Sequence, residues 1–536
     1  MVQEGQLLWT PRPEFAASSN LAHYMDWLKQ SRQLDFADYH ALWRWSVDDI
    51  EAFWGSIWDY FKVQSDRPYT RVVDRRAMPG PKWFEGSHLN YAEHLLRAET
   101  VTPDRTVFHH LSENRPLAQM SWREVGRQVR ILATQLRALG VVPGDRVVSY
   151  MPNVPETAIA MMAATAIGAV WSSAAPEFGV KTVTERFAQI QPKVLFAADG
   201  YRFGGKDFKR ESEVRSIIAD LPSLERVVWL PYLDPRGEVP QALPKAMSWK
   251  RLMDREDVPR DKFRFERVDY DHPLWIVFSS GTTGLPKAAK ISNARAQLYM
   301  KAFAGLTQMK PNEKVYCVLP LYHATGGLCA VGAALLNGAG VVLKRKFSAS
   351  QFWSDVRRES VTHIVYIGEL CRYLVNSPPA PNPEDETKHK VRMAFGNGMR
   401  PEVWDHFKSR FRIKEVMEFY GSTEGNVSLF NLDGHSGAIA RVPKMLKKSF
   451  NVRLVRFDVE SEMPDRQPNG LCYECKPGEI GEAIGQIAGD ARHAYSGYAD
   501  KAASQKKILT DVFKKGDQWF RTGDLMRQDK AGYLYF

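Results

Sequence analysis

The chain has 536 residues, enough for a large core spread over more than one domain or subdomain. Its 44% hydrophobic and 25% charged content is ordinary for a soluble globular protein. The net charge of +11 is compatible with an anionic partner, but the basic residues are scattered and no nucleic-acid-binding module is recognisable, which argues against nucleic acid.

The N-terminal segment is rich in tryptophan. Seven of the fifteen tryptophans lie within the first 90 residues, and residues 47–61 place apolar side chains at helical spacing. We expect residues 1–90 to form a helical extension packed on the next domain. An aromatic platform for a cofactor or a sugar is the alternative, although aromatic helix faces more often belong to the core.

From residue 106 onward, strand-like and helix-like segments alternate. The predicted strands are residues 147–151, 194–198, 275–278, 315–319, 341–343, 363–367 and 393–395, and residues 156–167 form a predicted helix. This alternation predicts a mostly parallel sheet covered on both faces. The proline-rich stretch 378–386, PPAPNPEDE, is predicted to be an irregular surface loop.

Two apolar stretches, residues 159–171 and 326–343, are the candidates for membrane spans. The first is too short, and the second contains Asn337 and several glycines, whereas a span needs about 20 predominantly apolar residues. We expect both to be buried helix or strand. The N-terminus does not resemble a signal peptide, so a cytoplasmic enzyme is the expectation. Peripheral membrane contact through a basic cluster between residues 441 and 456 is left open.

The five cysteines are too few and too irregular for a disulfide framework. Cys472 and Cys475 have C-x-x-C spacing. A zinc site would need a second ligand pair, and a redox pair would need a thioredoxin-like context; neither is present. We expect two reduced structural thiols.

Residues 279–287 read SSGTTGLPK and follow a short apolar run that is predicted to be a strand. Glycines allow several backbone N–H groups to converge, the hydroxyl groups add donors, and Lys287 adds a positive charge. This combination predicts a loop that holds a phosphate. The alternative is a polar surface turn, but the motifs farther along the chain favour the phosphate-binding loop.

Those motifs follow predicted strands, where ligands bind in α/β sheets. They read LPLYH ending at His323, FGNGM from residue 395, EFYGSTEG from residue 418, and WFRTGD ending at Asp524. Each is weak alone, since an aromatic residue can be core and an acid can form a turn. In this order they resemble the AMP-forming acyl-CoA synthetases of the adenylating superfamily, over residues 81–536.

The resemblance implies an α/β fold with two doubly wound sheet subdomains and a small β-rich subdomain. It also implies the chemistry. A carboxylate attacks the α-phosphate of ATP to give an acyl adenylate and pyrophosphate, and the thiol of coenzyme A then takes the acyl group. Positioning and charge neutralisation supply most of the catalysis in such transfers.

The resemblance also implies a role for each matching residue. Thr283, Lys287 and Glu424 are the predicted catalytic residues, with Glu424 also the Mg²⁺ ligand. Tyr420 is expected to stack on adenine, Thr423 to contact the α-phosphate, and Asp524 to accept hydrogen bonds from the ribose hydroxyls. The phosphate loop and the adenine-lining residues are Ser280, Gly281, Thr282, Thr283, Gly284, Gly396, Asn397 and Gly398. The residues expected to border the carboxylate and the acyl tunnel are His323, Gly327 and Gly421.

The resemblance changes along the chain. Segments such as YMPNVPE from residue 150 and LWIVFSS from residue 274 resemble acetoacetyl-CoA synthetases. Segments after about residue 285, such as KAAKISN and FGNGMRP, resemble the fatty acid transport proteins, which are very-long-chain acyl-CoA synthetases. A seam near residue 285, natural or constructed, is one interpretation, and a single divergent lineage is the other.

The acyl pocket of the superfamily is built mainly from the region corresponding to residues 321–426. A medium- or long-chain fatty acid is therefore the expected substrate, with acetoacetate as the alternative. The chain ends before the hinge and C-terminal lid of the family, so we expect ATP binding with impaired turnover, because loss of one charge costs about 2.7–4 kcal/mol. A non-catalytic nucleotide- or acyl-binding fragment and a membrane transport or anchoring protein are the alternatives from other classes.

Overall fold

The computed structural model describes residues 6–7, 9–77, 81–278, 286–421, 425–488 and 501–536. The chain divides into two compact units, Met1–Leu89 and Asn90–Phe536. Each unit is described by itself.

The first unit is mainly helical. Its elements are α1 (Pro13–Ala17), α2 (Asn20–Arg32), α3 (Tyr39–Asp48), α4 (Ile50–Tyr60), β1 (Arg71–Val73) and β2 (Trp83–Glu85). Tyr24, Leu28 and Leu42 form its small core, with Trp27 and Trp45 packed against it, so part of the tryptophan content serves packing. Residues 47–61, whose apolar residues have helical spacing, are the end of α3 and the whole of α4, with Asp49 between the two helices.

Asp49 separates α3 from α4. It follows the last residue of α3, and its side chain accepts a hydrogen bond from the backbone N–H of Ala52, which caps α4. An aspartate at this position satisfies an orphan N–H group and starts a new helix.

The strands of the second unit are numbered in chain order. They are β3 (Thr106–Leu111), β4 (Ala118–Ser121), β5 (Arg146–Tyr150), β6 (Val170–Ala174), β7 (Val194–Ala198), β8 (Gly200–Phe203), β9 (Lys206–Lys209), β10 (Arg226–Leu230), β11 (Ala246–Ser248), β12 (Pro273–Phe278), β13 (Ala288–Ser292), β14 (Lys314–Cys317), β15 (Gly340–Lys344), β16 (His363–Ile367), β17 (Met393–Asn397), β18 (Glu415–Gly421), β19 (Ser428–Asn431), β20 (Ala440–Arg441), β21 (Val452–Asp458), β22 (Met463–Pro464), β23 (Ile480–Gln486), β24 (Ile508–Thr510), β25 (Gln518–Gln528) and β26 (Tyr533–Tyr535).

The helices of this unit separate and cover those strands. They are α5 (Tyr91–Leu95), α6 (Ala98–Val101), α7 (Trp122–Ala138), α8 (Pro155–Ala166), α9 (Val180–Phe187), α10 (Glu211–Asp220), α11 (Trp249–Met253), α12 (Asn293–Thr307), a π-helix (Thr325–Gly332), α13 (Ala333–Leu336), α14 (Ala349–Arg358), α15 (Gly368–Asn376), α16 (Glu384–Thr387), α17 (Pro401–Phe411), a 3₁₀ helix (Lys444–Ser449) and α18 (Lys501–Lys506).

Three sheets organise the unit. The first has the order β11-β10-β7-β5-β6-β12-β13, and the second β19-β18-β17-β16-β14-β15-β3-β4. Both are parallel except at their ends, where β12–β13, β18–β19 and β3–β4 are antiparallel. The third is antiparallel, with the order β20-β26-β25-β23-β21-β22. The predicted α/β fold with two wound sheets and a β-rich part is confirmed.

Several local predictions can be compared with this fold. The strand predicted at 363–367 is β16 to the residue, and residues 326–343 are π-helix, α13 and β15. In the described residues, none of the helices has the length and apolarity needed to cross a bilayer. All five cysteines are free thiols. The irregular loop predicted at 378–386 is partly wrong, because the short helix α16 begins at Glu384, directly after its N-cap residue Pro383.

Candidate functional site

The predicted phosphate loop connects two paired strands. Phe278, at the end of β12, lies opposite Ala288, at the start of β13. Lys287 directly precedes β13 and is half-buried. The other predicted residues here, and two near the end of β18, lie outside the described residues, so their roles stay predictions: Ser280, Gly281, Thr282, Thr283, Gly284, Thr423 and Glu424.

The remaining predicted nucleotide residues meet at one edge of the second sheet. Strands β16, β17 and β18 are parallel neighbours. Gly396 and Asn397 end β17, and Tyr420 and Gly421 end β18. Because parallel strands present their carboxyl ends at the same edge, these residues lie side by side, as expected for a ligand site in an α/β sheet.

Glycine is required where this edge is most tightly packed. A Cβ atom on Gly396 would collide with the carbonyl oxygen of Tyr366 on β16, and a Cβ on Gly368 would collide with the carbonyl oxygen of Gly398. Gly398 itself has a φ of 77°, which favours glycine. The loop after β17 is therefore held close to the start of α15.

The same loop is held by a buried side chain without a predicted role, that of Glu418 on β18. Glu418 is 1% exposed and accepts hydrogen bonds from the hydroxyl of Tyr366 and, at 3.0 Å, from the backbone N–H of Met399. Burial raises its pKa to about 7, and these hydrogen bonds oppose that shift. An acid within an apolar strand was the signal that could have identified it.

The side chain of Asn397 has an unused acceptor. Its Oδ1 atom is buried and has no hydrogen-bond partner among the described residues. Buried polar atoms are normally paired, so an orphaned oxygen calls for an explanation such as an absent ligand. Its position at the end of β17 puts this acceptor beside the predicted adenine site.

Tyr420 and Asp524 are in direct contact although 104 residues separate them. The hydroxyl of Tyr420 donates a hydrogen bond to the carboxylate of Asp524 on β25. The backbone N–H of Asp524 donates to Thr522 Oγ1 at 3.1 Å, which orients the residue. The third sheet thus brings the predicted ribose-binding residue to the edge of the second.

His323 lies in a separate group of aromatic side chains. Its ring centroid is 4.7 Å from that of Tyr322, which makes an edge contact with Phe178 at 5.4 Å. Burial among protein atoms lowers the pKa of His323, and the positive charge of Arg186 lowers it further. The residue is nevertheless partly exposed to solvent, so a ligand can reach the imidazole. A neutral imidazole here presents both a donor and an acceptor.

Gly327 is buried in the π-helix, whereas His323 is exposed. A Cβ atom there would come within 2.5 Å of the ring of Trp275. It also lines a small, mainly apolar cavity of about 20 Å³ together with Tyr91, Met161 and Val331. This volume is about that of one water molecule, so the cavity as it stands holds no acyl chain.

The basic cluster between residues 441 and 456 is largely paired. Arg441 lies 2.8 Å from Asp433, Lys447 2.7 Å from Glu474, and Arg456 2.7 Å from Glu479. These acids reduce the positive field that an anionic lipid surface would require. Across the described ranges, no group of three or more His, Cys, Asp or Glu side chains is arranged to hold a metal ion.

Comparison with known proteins defines the class. The model of the AMP-binding enzyme family matches residues 95–474, and that of the acetyl-coenzyme A synthetase N-terminus matches residues 39–95. The first match covers well over half of the chain. The chain therefore belongs to the AMP-binding enzyme family, and its fold is that of the acyl-CoA synthetases.

Individual relatives confirm both resemblances. The chain is 40% identical to long-chain fatty acid transport protein 1 of Rattus norvegicus over 267 residues, which are 50% of this chain and 41% of that protein. It is 33% identical to long-chain fatty acid transport protein 2 of the same species over 461 residues, 83% of this chain and 71% of that protein. Acetoacetyl-CoA synthetase from Streptomyces lividans superposes with a TM-score of 0.75 at 28% identity, covering 99% of this chain and 79% of that one.

The chain spans about two fifths of the length of the rat transport protein 1.

Proposed function

We propose that this chain activates a carboxylic acid with ATP. The carboxylate oxygen bonds to the α-phosphorus, the bond from that phosphorus to the bridging oxygen breaks, and pyrophosphate leaves. The sulfur of coenzyme A then attacks the acyl carbon, releasing AMP and the thiol proton. The observation that carries the proposal is the convergence of Asn397, Tyr420 and Asp524 at one edge of the second sheet.

Each of these side chains offers a group that a nucleotide needs. The ring of Tyr420 presents a face for adenine, and base stacking on an aromatic ring contributes about 1–3 kcal/mol. Asp524 offers two carboxylate oxygens to two ribose hydroxyls. The unpartnered Oδ1 of Asn397 fits the exocyclic amine of adenine. In this proposal, ribose competes with Tyr420 for the carboxylate of Asp524.

His323 is proposed to face the carboxylate of the acid. Its lowered pKa keeps the imidazole neutral near pH 7. The imidazole therefore donates one hydrogen bond to the carboxylate and does not form an ion pair with it. Mg²⁺ would neutralise phosphate charge, with Glu424, which lies outside the described residues, as its proposed ligand.

A medium- or long-chain fatty acid is the proposed substrate. The support is the likeness to proteins named for long-chain fatty acids over half or more of the chain. Acetoacetate is the second candidate, because the acetoacetyl-CoA synthetase structure covers nearly the whole chain. The seam near residue 285 remains our interpretation of this double likeness.

Hydroxylamine trapping of the acyl adenylate tests the reaction and the substrate together. ATP-dependent hydroxamate should form best with medium- or long-chain fatty acids, and acetoacetate should be a poor substrate. Asp524→Ala should abolish the signal, and Asp220→Ala, at the exposed end of α10, should leave it unchanged. A preference for acetoacetate would refute the substrate, and full activity of Asp524→Ala would refute the site.

A further inference from the structure

Helix α9 lies beside both ends of the segment 279–285. The guanidinium carbon of Arg186, near the end of α9, is 6.0 Å from the ring centroid of Phe278, the last described residue before that segment. Just beyond α9, Nε2 of Gln189 donates a hydrogen bond of 2.9 Å to the carbonyl oxygen of Pro286, the first described residue after it. The chain leaves and returns next to the same helix.

Arg186 has few polar partners for a half-buried cation. Its Nη1 donates to the carbonyl oxygen of Thr182 at 2.8 Å, and the ring of Phe178 lies 5.2 Å from the guanidinium carbon. In the described part of the chain, no carboxylate forms an ion pair with it. The adjacent acid, Glu185, is 3.8 Å from Lys181 instead. Four of the five N–H donors of Arg186 therefore remain for a ligand.

The surroundings of Arg186 favour an anion. Burial lowers its pKa, which records the cost of keeping the cation away from water. A partly desolvated cation is expensive unless it meets an opposite charge. Arg186 also lowers the pKa of His323, so its charge reaches the proposed carboxylate-binding side chain. A half-buried guanidinium with Phe278 and His323 as neighbours suits a phosphate, which it can bind with two parallel hydrogen bonds.

We propose that Arg186 binds phosphate oxygens of ATP and of the pyrophosphate that ATP releases. The inference rests on the proposed function and adds a phosphate-binding side chain from helix α9. In the competing explanation, Arg186 only packs between the rings of Phe178 and Phe278.

Calorimetric titration with ATP, inorganic pyrophosphate and adenosine separates these explanations. Arg186→Gln should raise the Kd of ATP and of pyrophosphate roughly tenfold to hundredfold, as expected for loss of a charge-assisted contact, and should leave adenosine binding unchanged. Arg186→Lys should give an intermediate loss, because lysine keeps the charge without the planar fork. The matched control is Arg215→Gln, an exposed arginine on α10, which should bind all three ligands as the wild type does.

Two results would overturn the inference. Unchanged pyrophosphate binding in Arg186→Gln, with a wild-type melting temperature, would remove the phosphate contact. An equal loss of adenosine binding would show that the arginine is structural, and Arg186→Lys would decide this if Arg186→Gln did not fold. Failure of the wild type to bind ATP would instead refute the proposed function along with the inference.

Discussion

Gly368→Ala tests the close packing that shapes the proposed nucleotide loop. Gly368 is buried at the first position of α15, and its added Cβ would overlap the carbonyl oxygen of Gly398. The separation is far below the 3.0 Å under which real Cβ contacts essentially never occur. Since the obstacle is backbone, the loop has to move by more than about 1 Å, and overpacking of this kind costs about 1–3 kcal/mol.

The same displacement should also slow the reaction. A shift of about 1 Å in a positioning element can reduce a rate by about a hundredfold. Urea unfolding measures the loss of stability, and ATP-dependent hydroxamate formation measures the loss of activity. Gly305→Ala is the control, because Gly305 is exposed within α12 with nothing near its Cβ, and alanine there should stabilise by about 1 kcal/mol. Wild-type stability and activity in Gly368→Ala would refute the packing argument.

Three further predictions follow from single side chains. Burial raises the pKa of Glu418 from 4.5 to about 7, so its protonated form stabilises the fold below pH 4.5, and that contribution is lost as the pH rises to 7. Relative to Glu418→Gln, the wild type should therefore lose about 3 kcal/mol of unfolding free energy over this range. If urea titrations gave the same pH dependence of the unfolding free energy for both proteins, the raised pKa of Glu418 would be contradicted. Asn397→Ala removes an unpaired buried oxygen, so it should change stability by less than about 0.5 kcal/mol while weakening ATP binding; loss of stability with intact binding would reverse the interpretation. Cys475, the half-buried thiol, should react with a thiol reagent before the four buried cysteines, and rapid labelling of Cys317 or Cys371 in the native protein would be inconsistent with the fold.

The sequence predicted best those elements whose own residues decide their structure. Strands β7 and β16 were predicted to the residue, because each is a continuous run of mainly apolar residues. The break at Asp49 was missed, since helical periodicity continues across it and only the capping hydrogen bond reveals a new helix. The π-helix Thr325–Gly332 was likewise invisible, because its hydrogen-bond pattern leaves no distinct residue signature.

The motifs predicted which loops gather at the site, but not what supports them. Tyr420 and Asp524 were assigned as separate ligands, and the structure adds the hydrogen bond between them. Glu418 accepts a hydrogen bond from Tyr366, which is 52 residues away in the sequence. The sequence around either residue therefore does not reveal that the two support the loop together. In the basic cluster the positive charges are close together in the sequence, but Glu474 and Glu479, which pair with members of the cluster, come later in the chain. The sequence of the cluster alone therefore overstates its positive charge.

ATP–pyrophosphate exchange tests the proposed adenylation directly, because label enters ATP only if the acyl adenylate forms reversibly. Labelled pyrophosphate should enter ATP when a medium- or long-chain fatty acid is present, at a rate well above that without acid, and Asp524→Ala should eliminate the difference. ATP binding without any acid-dependent exchange would contradict adenylation and leave a nucleotide-binding protein without this activity.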